Sequence, residues 1–201
     1  MKEGFGMKRL LLSVLLSVAV VPVLAFGATW QMDPDHSSLQ FKVSHLTVSK
    51  VKGDFSKFKG TVTIDENDMT SLKVELTADA ASVNTGHAKR DEHLRNEDFF
   101  YVAKYPNITF VSKKIIRGEG NRLKVVGDLA IRGVTKEITV DVEGPTPEVK
   151  DPRGNFRRGA TGTSRINRKD FGILWNRVLD SGGLVVGDDV DIYIEVELIK
   201  E

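Results

Sequence analysis

Two of the chain's four histidines, His87 and His93, lie in one strongly charged segment, VNTGHAKRDEHLRNEDFF (83–100). Seven acidic or basic residues fall between these histidines or just after them. Because residues four apart share a helix face, His87 and Asp91 could together ligate a metal ion. His93 would lie near the opposite face, and no third ligand follows at a suitable spacing, so we predict no metal site. We interpret the segment as a surface helix joined by local ion pairs: Lys89–Glu92, Asp91–Arg95 and Glu92–Arg95.

The other two histidines are isolated from one another in the sequence. His45 falls on the apolar side of an alternating stretch, which favours a core or rim residue, with a polar contact to a ligand head as the alternative. His36, in DPDHS, is expected in a turn, where it makes backbone hydrogen bonds. A basic cluster nearer the C-terminus is interpreted as a solvated loop of mixed charge, with an anionic headgroup site as the alternative: Arg153, Arg157, Arg158, Arg165, Arg168 and Lys169.

No catalytic motif accompanies these residues. The chain has neither H-E-x-x-H nor G-x-S-x-G, the signatures of zinc proteases and of serine hydrolases. The absence of cysteine excludes thiol chemistry, cysteine metal sites and disulfides. A net charge of +1 creates no strong field that would attract nucleic acid. We therefore predict no catalytic residue, no metal and no nucleic-acid partner, and we keep an enzyme that uses His45 as an alternative.

The N-terminus has the three parts of a secretory signal peptide. Lys8 and Arg9 precede an uncharged apolar run (10–24), and small residues surround the cleavage position in AFG (25–27). The apolar run of about 15 residues is shorter than the roughly 20 that a spanning helix needs, and Pro22 interrupts it. We predict a signal peptide over 1–27, with cleavage after Gly27 or Ala25, and no transmembrane anchor in the mature chain. A cysteine-free secreted chain fits the periplasm, with an extracellular location as the alternative.

The mature chain, residues 28–201, is dominated by period-two alternation of apolar and polar residues, which is typical of half-buried strands. About eight such stretches are separated by turn-forming residues, and one short helical segment is expected near 86–98, capped by Asn84 or Thr85. The eight stretches are SLQFKVSHL (38–46), FKGTVTID (58–65), SLKVELTAD (71–79), NITFVS (107–112), RLKVVGDLAI (122–131), KEITVDVEG (136–144), FRRGATGTSRIN (156–167) and DVDIYIEVEL (189–198).

Short connections between alternating strands favour a single all-β domain, an antiparallel barrel or sandwich. A closed barrel of about eight strands is either filled by side chains or wide enough for one small ligand. Pattern alone favours neither outcome. Small inward positions would leave room for a ligand or mark tight strand bends: Gly60, Ala78, Gly127, Ala160 and Gly162.

Nearly the whole mature chain, from about Trp30, resembles the YceI-like family of bacterial periplasmic proteins. The motifs that carry the resemblance are DPDHSSLQFKVSHL, VKGDFSKFKGTVTID, SVNTGHAKRDEHLRNEDFFYVAKYPNITF, GDLAIRGVTKEITVDV and RKDFGI, in that order. The resemblance implies a lipocalin-like antiparallel β-barrel with a long hydrophobic pore. It also implies binding of a polyisoprenoid or another long-chain amphiphile, such as an isoprenoid quinone or a fatty-acid-like lipid, without catalysis and without a cofactor.

In such a protein the ligand would contact inward apolar side chains. The residues expected to bind it are Phe41, Val43, His45, Phe58, Val62, Val74, Leu76, Phe99, Phe100, Phe110 and Trp175. The charged segment near 86–98 would then pack at one end of the barrel as architecture. A solid-core stress-response module is a further alternative, and a homodimer through an exposed edge strand is compatible with the sequence.

Overall fold

The computed structural model describes residues 27–178 and 183–201. Within these residues the chain forms twelve β-strands and one short α-helix. The strands are β1 (Ala28–Met32), β2 (Ser38–His45), β3 (Ser49–Phe55), β4 (Phe58–Ile64), β5 (Lys73–Asp79), β6 (Val83–Asn84), β7 (Asn107–Arg117), β8 (Arg122–Ile131), β9 (Val134–Glu143), β10 (Val149–Lys150), β11 (Phe156–Asn167) and β12 (Val186–Lys200), and the helix is α1 (Ala88–Arg95).

Eight strands close into an antiparallel barrel. Their order around the ring is β1, β4, β5, β7, β8, β9, β11 and β12, and β12 pairs back onto β1 through Trp30 and Lys200. Closure leaves these strands with no free edges over their paired lengths. The predicted fold class, an all-β barrel with one short helix, is confirmed.

The long last strand joins the ring to an extension of its wall. β12 pairs with β1 only near its C-terminal end, at Leu198–Lys200, and with β2 over Val186–Glu195. β2 pairs with β3, and β3 with the two-residue β6. β1 and β2 are therefore two successive strands along the same edge of β12, separated by a turn at 33–37.

Four strands were not predicted from the alternation. β1, β6 and β10 are five residues long or shorter, too short to show a period. β3 carries lysines at two of its outward positions, and its inward side is Val51, Gly53 and Phe55, so only two of its seven residues are large and apolar. Hydrogen bonding to β2 makes this stretch a strand, and that partner is not visible from local sequence.

α1 occupies the middle of the predicted helical segment, but its cap was predicted wrongly. His87 is the N-cap, and its Nδ1 accepts a hydrogen bond from the backbone N–H of Arg90 at 3.4 Å. Thr85, predicted as a cap, instead donates from its N–H and its hydroxyl to the carboxylate of Asp91, at 2.9 and 2.5 Å. Gly86, at φ 73°, lies between Thr85 and the N-cap His87 and lets the chain turn into the helix.

The predicted ion pairs within this helix are not formed. Asp91 is buried against Thr85, and Arg95 donates to the carbonyls of Ala81 and Val83, at 2.7 and 2.8 Å. Arg90 likewise donates to the hydroxyl and the carbonyl of Thr85. The charges therefore tie the helix to the chain that precedes it, which explains how an eight-residue helix with little apolar surface is held in place.

The described part of the chain contains no helix whose length and apolar character would let it cross a membrane. The predicted signal peptide lies outside the described residues, apart from Gly27.

Candidate functional site

The barrel encloses a cavity of about 380 Å³. This volume is within the range of about 300–1,000 Å³ that is usual for small-molecule sites. Its wall is almost entirely apolar and is built by side chains from ten strands, all except β6 and β10, together with residues of α1 and of the loops beside it. The interior is therefore hollow, and the solid-core alternative is wrong.

The inward side chains of β12 border the cavity. Its inward residues Val190, Ile192, Ile194 and Val196 pack against the core, yet each remains partly accessible. On β8, by contrast, Val125 and Leu129 have only 4% and 7% of their surface exposed. The cavity therefore runs along β12 and β2, and the opposite wall of the barrel is packed more tightly.

Ten of the eleven residues predicted to bind the ligand lie on the cavity wall. They are Phe41, Val43, His45, Val62, Val74, Leu76, Phe99, Phe100, Phe110 and Trp175. Phe58 is not among the lining residues; it is half-buried and packs against the core opposite Ala78. Contact between these side chains and a ligand stays a prediction.

The wall also contains many residues that were not selected from the sequence. Those on β8, β9, β11 and β12 had the correct inward parity, and that signal could have identified them. Ile173 alternates with Phe171 and Trp175, and Leu94 is the main apolar residue of the helix, so these two could also have been selected; Val51 and Phe55 belong to β3, which was not predicted as a strand. The inward-parity set includes Leu39, Leu72, Leu123, Val125, Leu129, Ile131, Ile138, Val140, Val142, Ile166, Ile192, Ile194, Val196 and Leu198.

The small inward residues open the cavity less than expected. A Cβ at Gly60 would lie 2.6 Å from Met32 Sδ, and one at Gly127 would lie 2.6 Å from Phe110 Cζ. These two glycines are therefore already covered by neighbouring side chains. Ala160 and Gly162 do line the cavity, so only part of the small-residue set leaves space.

One end of the barrel, here called the α1 end, is covered by α1 and by loops around it. The ring of His93 meets the rings of Phe99 and Trp175 edge-on, each at 4.9 Å between centroids, and Phe99 and Trp175 are 5.3 Å apart. His93 Nε2 also forms a hydrogen bond with Asp98 Oδ2 at 2.9 Å. The charged segment thus supplies part of the cavity wall, as the architectural interpretation predicted.

Arg168 holds the loop that carries Trp175. The residue is 4% exposed, and its guanidinium donates to the carbonyls of Ile173, Trp175 and Gly187, at 2.7–2.8 Å. It also pairs with Asp188 at 3.2 Å. Burial lowers the pKa of Arg168, and the carboxylate of Asp188 partly offsets this decrease. The prediction of a solvated loop is wrong for this residue, since Arg168 lies on the cavity wall.

The opposite end of the barrel is closed by Trp30, which is fully buried. The guanidinium of Arg158 and the ammonium of Lys200 lie 5.1 and 5.3 Å from its ring centroid. Such cation–π contacts stabilise an aromatic ring beside positive charge. Ile64 and Leu198, exposed by 1% and 2%, complete this closed end. The cavity is therefore more accessible at the α1 end, where the side chain of His93 is 36% exposed.

A group of charges lies on the outer face of the barrel around Arg157. Its guanidinium bonds to Asp33, Asp151 and Glu197. These hydrogen bonds hold the pKa of Asp151 well below its usual range, and those from Arg157 and His36 lower the pKa of Asp33. The hydrogen bond to Asp33 raises the pKa of His36.

Within the described residues, Asp33, His36 and Glu197 form the one group whose donor atoms are close enough to hold a metal ion. The guanidinium of Arg157 already bonds to both carboxylates of this group. Its positive charge therefore occupies the position in which a metal ion would be bound. His36 lies in a turn, as predicted, with its backbone N–H directed at the carbonyl of Asp33.

Three of the other basic residues of the cluster also form ion pairs, and Arg153 is exposed in a turn. Arg157, Arg158 and Arg165 lie on β11, so the prediction of a loop is wrong for them as well. Arg158 pairs with Glu66, Arg165 with Asp191 and Lys169 with Asp188. These residues lie on different faces of the barrel and do not form a single anion site.

A model of the YceI-like domain matches residues 30–198. The chain belongs to the YceI-like family. A UPF0312 protein of Staphylococcus aureus strain MSSA476 is 41% identical to this YceI-like protein over 165 residues, which are 82% of this chain and 94% of the relative. The family resemblance seen in the sequence motifs is confirmed.

Solved structures show the same YceI-like barrel. BcnA of Burkholderia cenocepacia superposes with a TM-score of 0.71 at 25% identity, covering 83% of this chain and 98% of BcnA. The YceI protein of Campylobacter jejuni superposes with a TM-score of 0.66 at 32% identity, covering 79% and 90%. A polyisoprenoid binding domain from Saccharophagus degradans shares the fold, with a TM-score of 0.65 at 20% identity over 87% of this chain and 99% of that domain.

Proposed function

We propose that this YceI-like protein binds a polyisoprenoid or a similar long-chain amphiphile in its barrel and carries or stores it without catalysis. An isoprenoid quinone is one such ligand. The observation that carries the proposal is the hollow apolar interior, with its wall formed mainly by side chains from ten strands.

The chemistry of the wall favours an apolar chain over a polar metabolite. A polar guest would lose its hydrogen bonds to water in such a space and regain few of them. Burying on the order of 300 Å² of a lipid chain contributes roughly 7 kcal/mol before the costs of association. That is sufficient for binding without any reacting group.

Polar side chains near the α1 end are placed to meet the head of such a ligand. His45, Arg90 and His93 line this end of the cavity, whereas Trp30 closes the other. The ligand would therefore lie with its tail toward Trp30 and its head toward α1. The shared fold with a polyisoprenoid binding domain is consistent with this ligand class.

The proposed location is the periplasm, which the charged start, apolar run and small residues of the N-terminus support. A soluble carrier there would shield an oily chain from water between two membranes. The enzyme alternative depends on His45 alone and stays a prediction.

Mass spectrometry of the purified protein tests the proposal. Organic extraction should release a stoichiometric long-chain lipid. After delipidation, added ubiquinone or polyprenol should change the fluorescence of Trp175, which lines the cavity, and Trp175→Phe should remove most of that change. Trp30, the chain's other tryptophan, lies at the closed end and serves as an internal reference. A protein that yields no lipid and binds neither probe would contradict the proposal.

A further inference from the structure

The cavity ends at the level of Trp30 on β1. Met32, the neighbouring inward residue of β1, lines the cavity, and Trp30 does not. On the adjacent strand β12, Leu198 lines it, and Lys200, two residues further on, does not. Met32 pairs with Leu198 and Trp30 pairs with Lys200. The lining therefore stops at the same level on both strands.

The space beyond Trp30 offers no room for a hydrocarbon chain. Trp30 has no exposed surface, and Ile64 beside it on β4 has 1%. The guanidinium of Arg158 and the ammonium of Lys200 lie against the Trp30 ring, and Arg158 also bonds to Glu66. A tail that moved past the ring would have to displace packed side chains and take water away from charged groups. Trp30 is thus the floor of the cavity.

The strand register gives the length of the cavity above this floor. The lining residues of β2 and β12 run from His45, near α1, to Leu198, near the floor. Six residue steps separate His45 from Leu39, and four more separate Ile194, the partner of Leu39, from Leu198. With a rise of about 3.3 Å per residue and a strand tilt of about 40°, these ten steps span about 25 Å along the barrel axis.

A cavity of that length holds a single extended chain of limited size. An extended polypeptide advances about 3.3–3.6 Å for every three main-chain bonds, so an extended chain of any kind advances about 1.2 Å per bond. A length of about 25 Å therefore takes about 20 bonds, which is about five isoprenoid units at about four main-chain bonds each. Further units would lie outside the cavity, beyond the α1 end.

From this arrangement we infer that Trp30 limits the chain length of the ligand, so that the cavity shelters about five isoprenoid units and leaves any further unit in water. The inference rests on the proposed function and adds a length preference to it. Each unsheltered unit keeps about five carbon atoms in contact with water, which weakens binding. Trp30 is then a residue that determines specificity, although it lies at the end of the cavity farthest from the ligand head.

Exchange with a mixture of chains tests the inference on the purified, delipidated protein. All-trans prenols of about three to about ten units, in equal amounts in detergent micelles, are incubated with the protein. Gel filtration then removes the micelles, and mass spectrometry quantifies the bound prenols. Because a sheltered unit has apolar surroundings both in the micelle and in the cavity, uptake should be nearly level up to about five units. It should fall by about tenfold or more for each unit beyond that.

Two substitutions at the floor should move this limit in opposite directions. Trp30→Leu removes most of the ring and should admit about one further unit. Val62 pairs with Trp30 and lines the cavity, so Val62→Phe should exclude about one unit, because one inward step of two residues is about 5 Å along the axis. Each shift should change the relative uptake of the prenols at the limit by about tenfold. Val62→Phe retains the floor and decides the question even where Trp30→Leu fails to fold.

Thr61→Phe is the matched control for Val62→Phe. Thr61 precedes Val62 on β4, has the opposite parity and does not line the cavity. The same added ring should therefore leave the length profile unchanged. Equal profiles for the wild type and Val62→Phe would overturn the inference, as would the same shift in Thr61→Phe. A wild-type profile that stays level to the longest prenol would also overturn it and indicate a chain that folds back inside the barrel.

The two proposals fail in distinguishable ways. Protein that takes up prenols of every length equally would retain the carrier function and lose the limit at Trp30. Protein that takes up no prenol of any length would contradict both the binding of a polyisoprenoid and the limit.

Discussion

The ring of Phe110 on β7 lies directly over Gly127 on β8, so that a Cβ at residue 127 would come within 2.6 Å of Phe110 Cζ and 2.5 Å of the carbonyl oxygen of Val111. Glycine at this position lets a large aromatic ring pack closely against the backbone of β8. The ring then fills space that the sequence pattern assigned to a ligand. This contact defines part of the tighter wall of the barrel.

Gly127→Ala should therefore destabilise the protein. The added methyl group must displace the Phe110 ring or the backbone of β7, at a cost of about 1–3 kcal/mol. Urea unfolding followed by circular dichroism would measure the change. Gly159→Ala is the matched control, because its nearest neighbour would be 3.7 Å away. A loss no larger than that of the control would contradict the overpacking argument.

A bulky residue on β12 should block the cavity. Ile194 points into it, whereas its neighbour Glu195 is exposed on the outer face. Ile194→Trp should reduce the amount of lipid that copurifies by about tenfold, since tail atoms would lose their space. Glu195→Trp adds the same side chain outside the barrel and should leave lipid content unchanged. Equal lipid content in the two variants would place the binding site elsewhere.

Loss of the Arg168 side chain should loosen the loop that carries Trp175. Arg168→Met leaves buried carbonyls of Ile173 and Trp175 without a donor, so we expect a loss of about 2–5 kcal/mol in unfolding free energy. Arg165→Met is a suitable comparison, because Arg165 is 66% exposed and pairs only with Asp191, and should cost no more than about 1 kcal/mol. Similar losses in the two variants would refute the special role of Arg168.

The charges around Arg157 should make the barrel sensitive to acid. The pKa of Asp33 is lowered from an ordinary value of 3.8, mainly by the hydrogen bond from Arg157, and that of Asp151 is lowered by the same partner. A carboxyl whose folded-state pKa is depressed stabilises the fold above its unfolded value, and that contribution is lost as the pH falls through the folded value. The melting temperature should thus decrease as the pH is lowered below about 4, where the carboxyls of the unfolded chain begin to bind protons.

Arg157→Gln should lower the melting temperature at pH 7 and flatten its decline below about pH 4, because the variant has less carboxylate stabilisation to lose. His36 acts in the other direction: its pKa is raised by Asp33, so its contribution is full below about pH 6.5 and declines at higher pH. An acid profile of Arg157→Gln that parallels the wild type would contradict this account.

The fold class and the inward positions of the longer strands follow from local sequence. Alternation reports directly which face of a strand is buried, so residues such as Val62, Leu76 and Phe110 were placed correctly on the inner face. The family motifs then identified the barrel. The short strands β1, β6 and β10 were not predicted, because an alternation of apolar and polar residues must repeat several times before it can be recognised.

Other features depended on contacts between distant residues. Alternation could not distinguish a hollow interior from a solid one, since both present the same apolar faces. Gly60 and Gly127 illustrate why: they were expected to open space, but Met32 and Phe110 fold over them. Three ion pairs were expected within the segment 83–100, but Asp91 and Arg90 bond to Thr85 instead, and Arg95 bonds to the backbone carbonyls of Ala81 and Val83.

The alternation by itself thus determined an antiparallel all-β domain whose strands have one apolar face, because the burial of alternating side chains is a local property of each strand. The resemblance of the motifs to a known family implied that the sheet closes into a barrel. The tertiary structure decided that the interior is hollow, that Trp30 closes one end and that α1 covers the other. These outcomes depend on side-chain volumes and hydrogen bonds between strands far apart in the chain, and no local pattern encodes them.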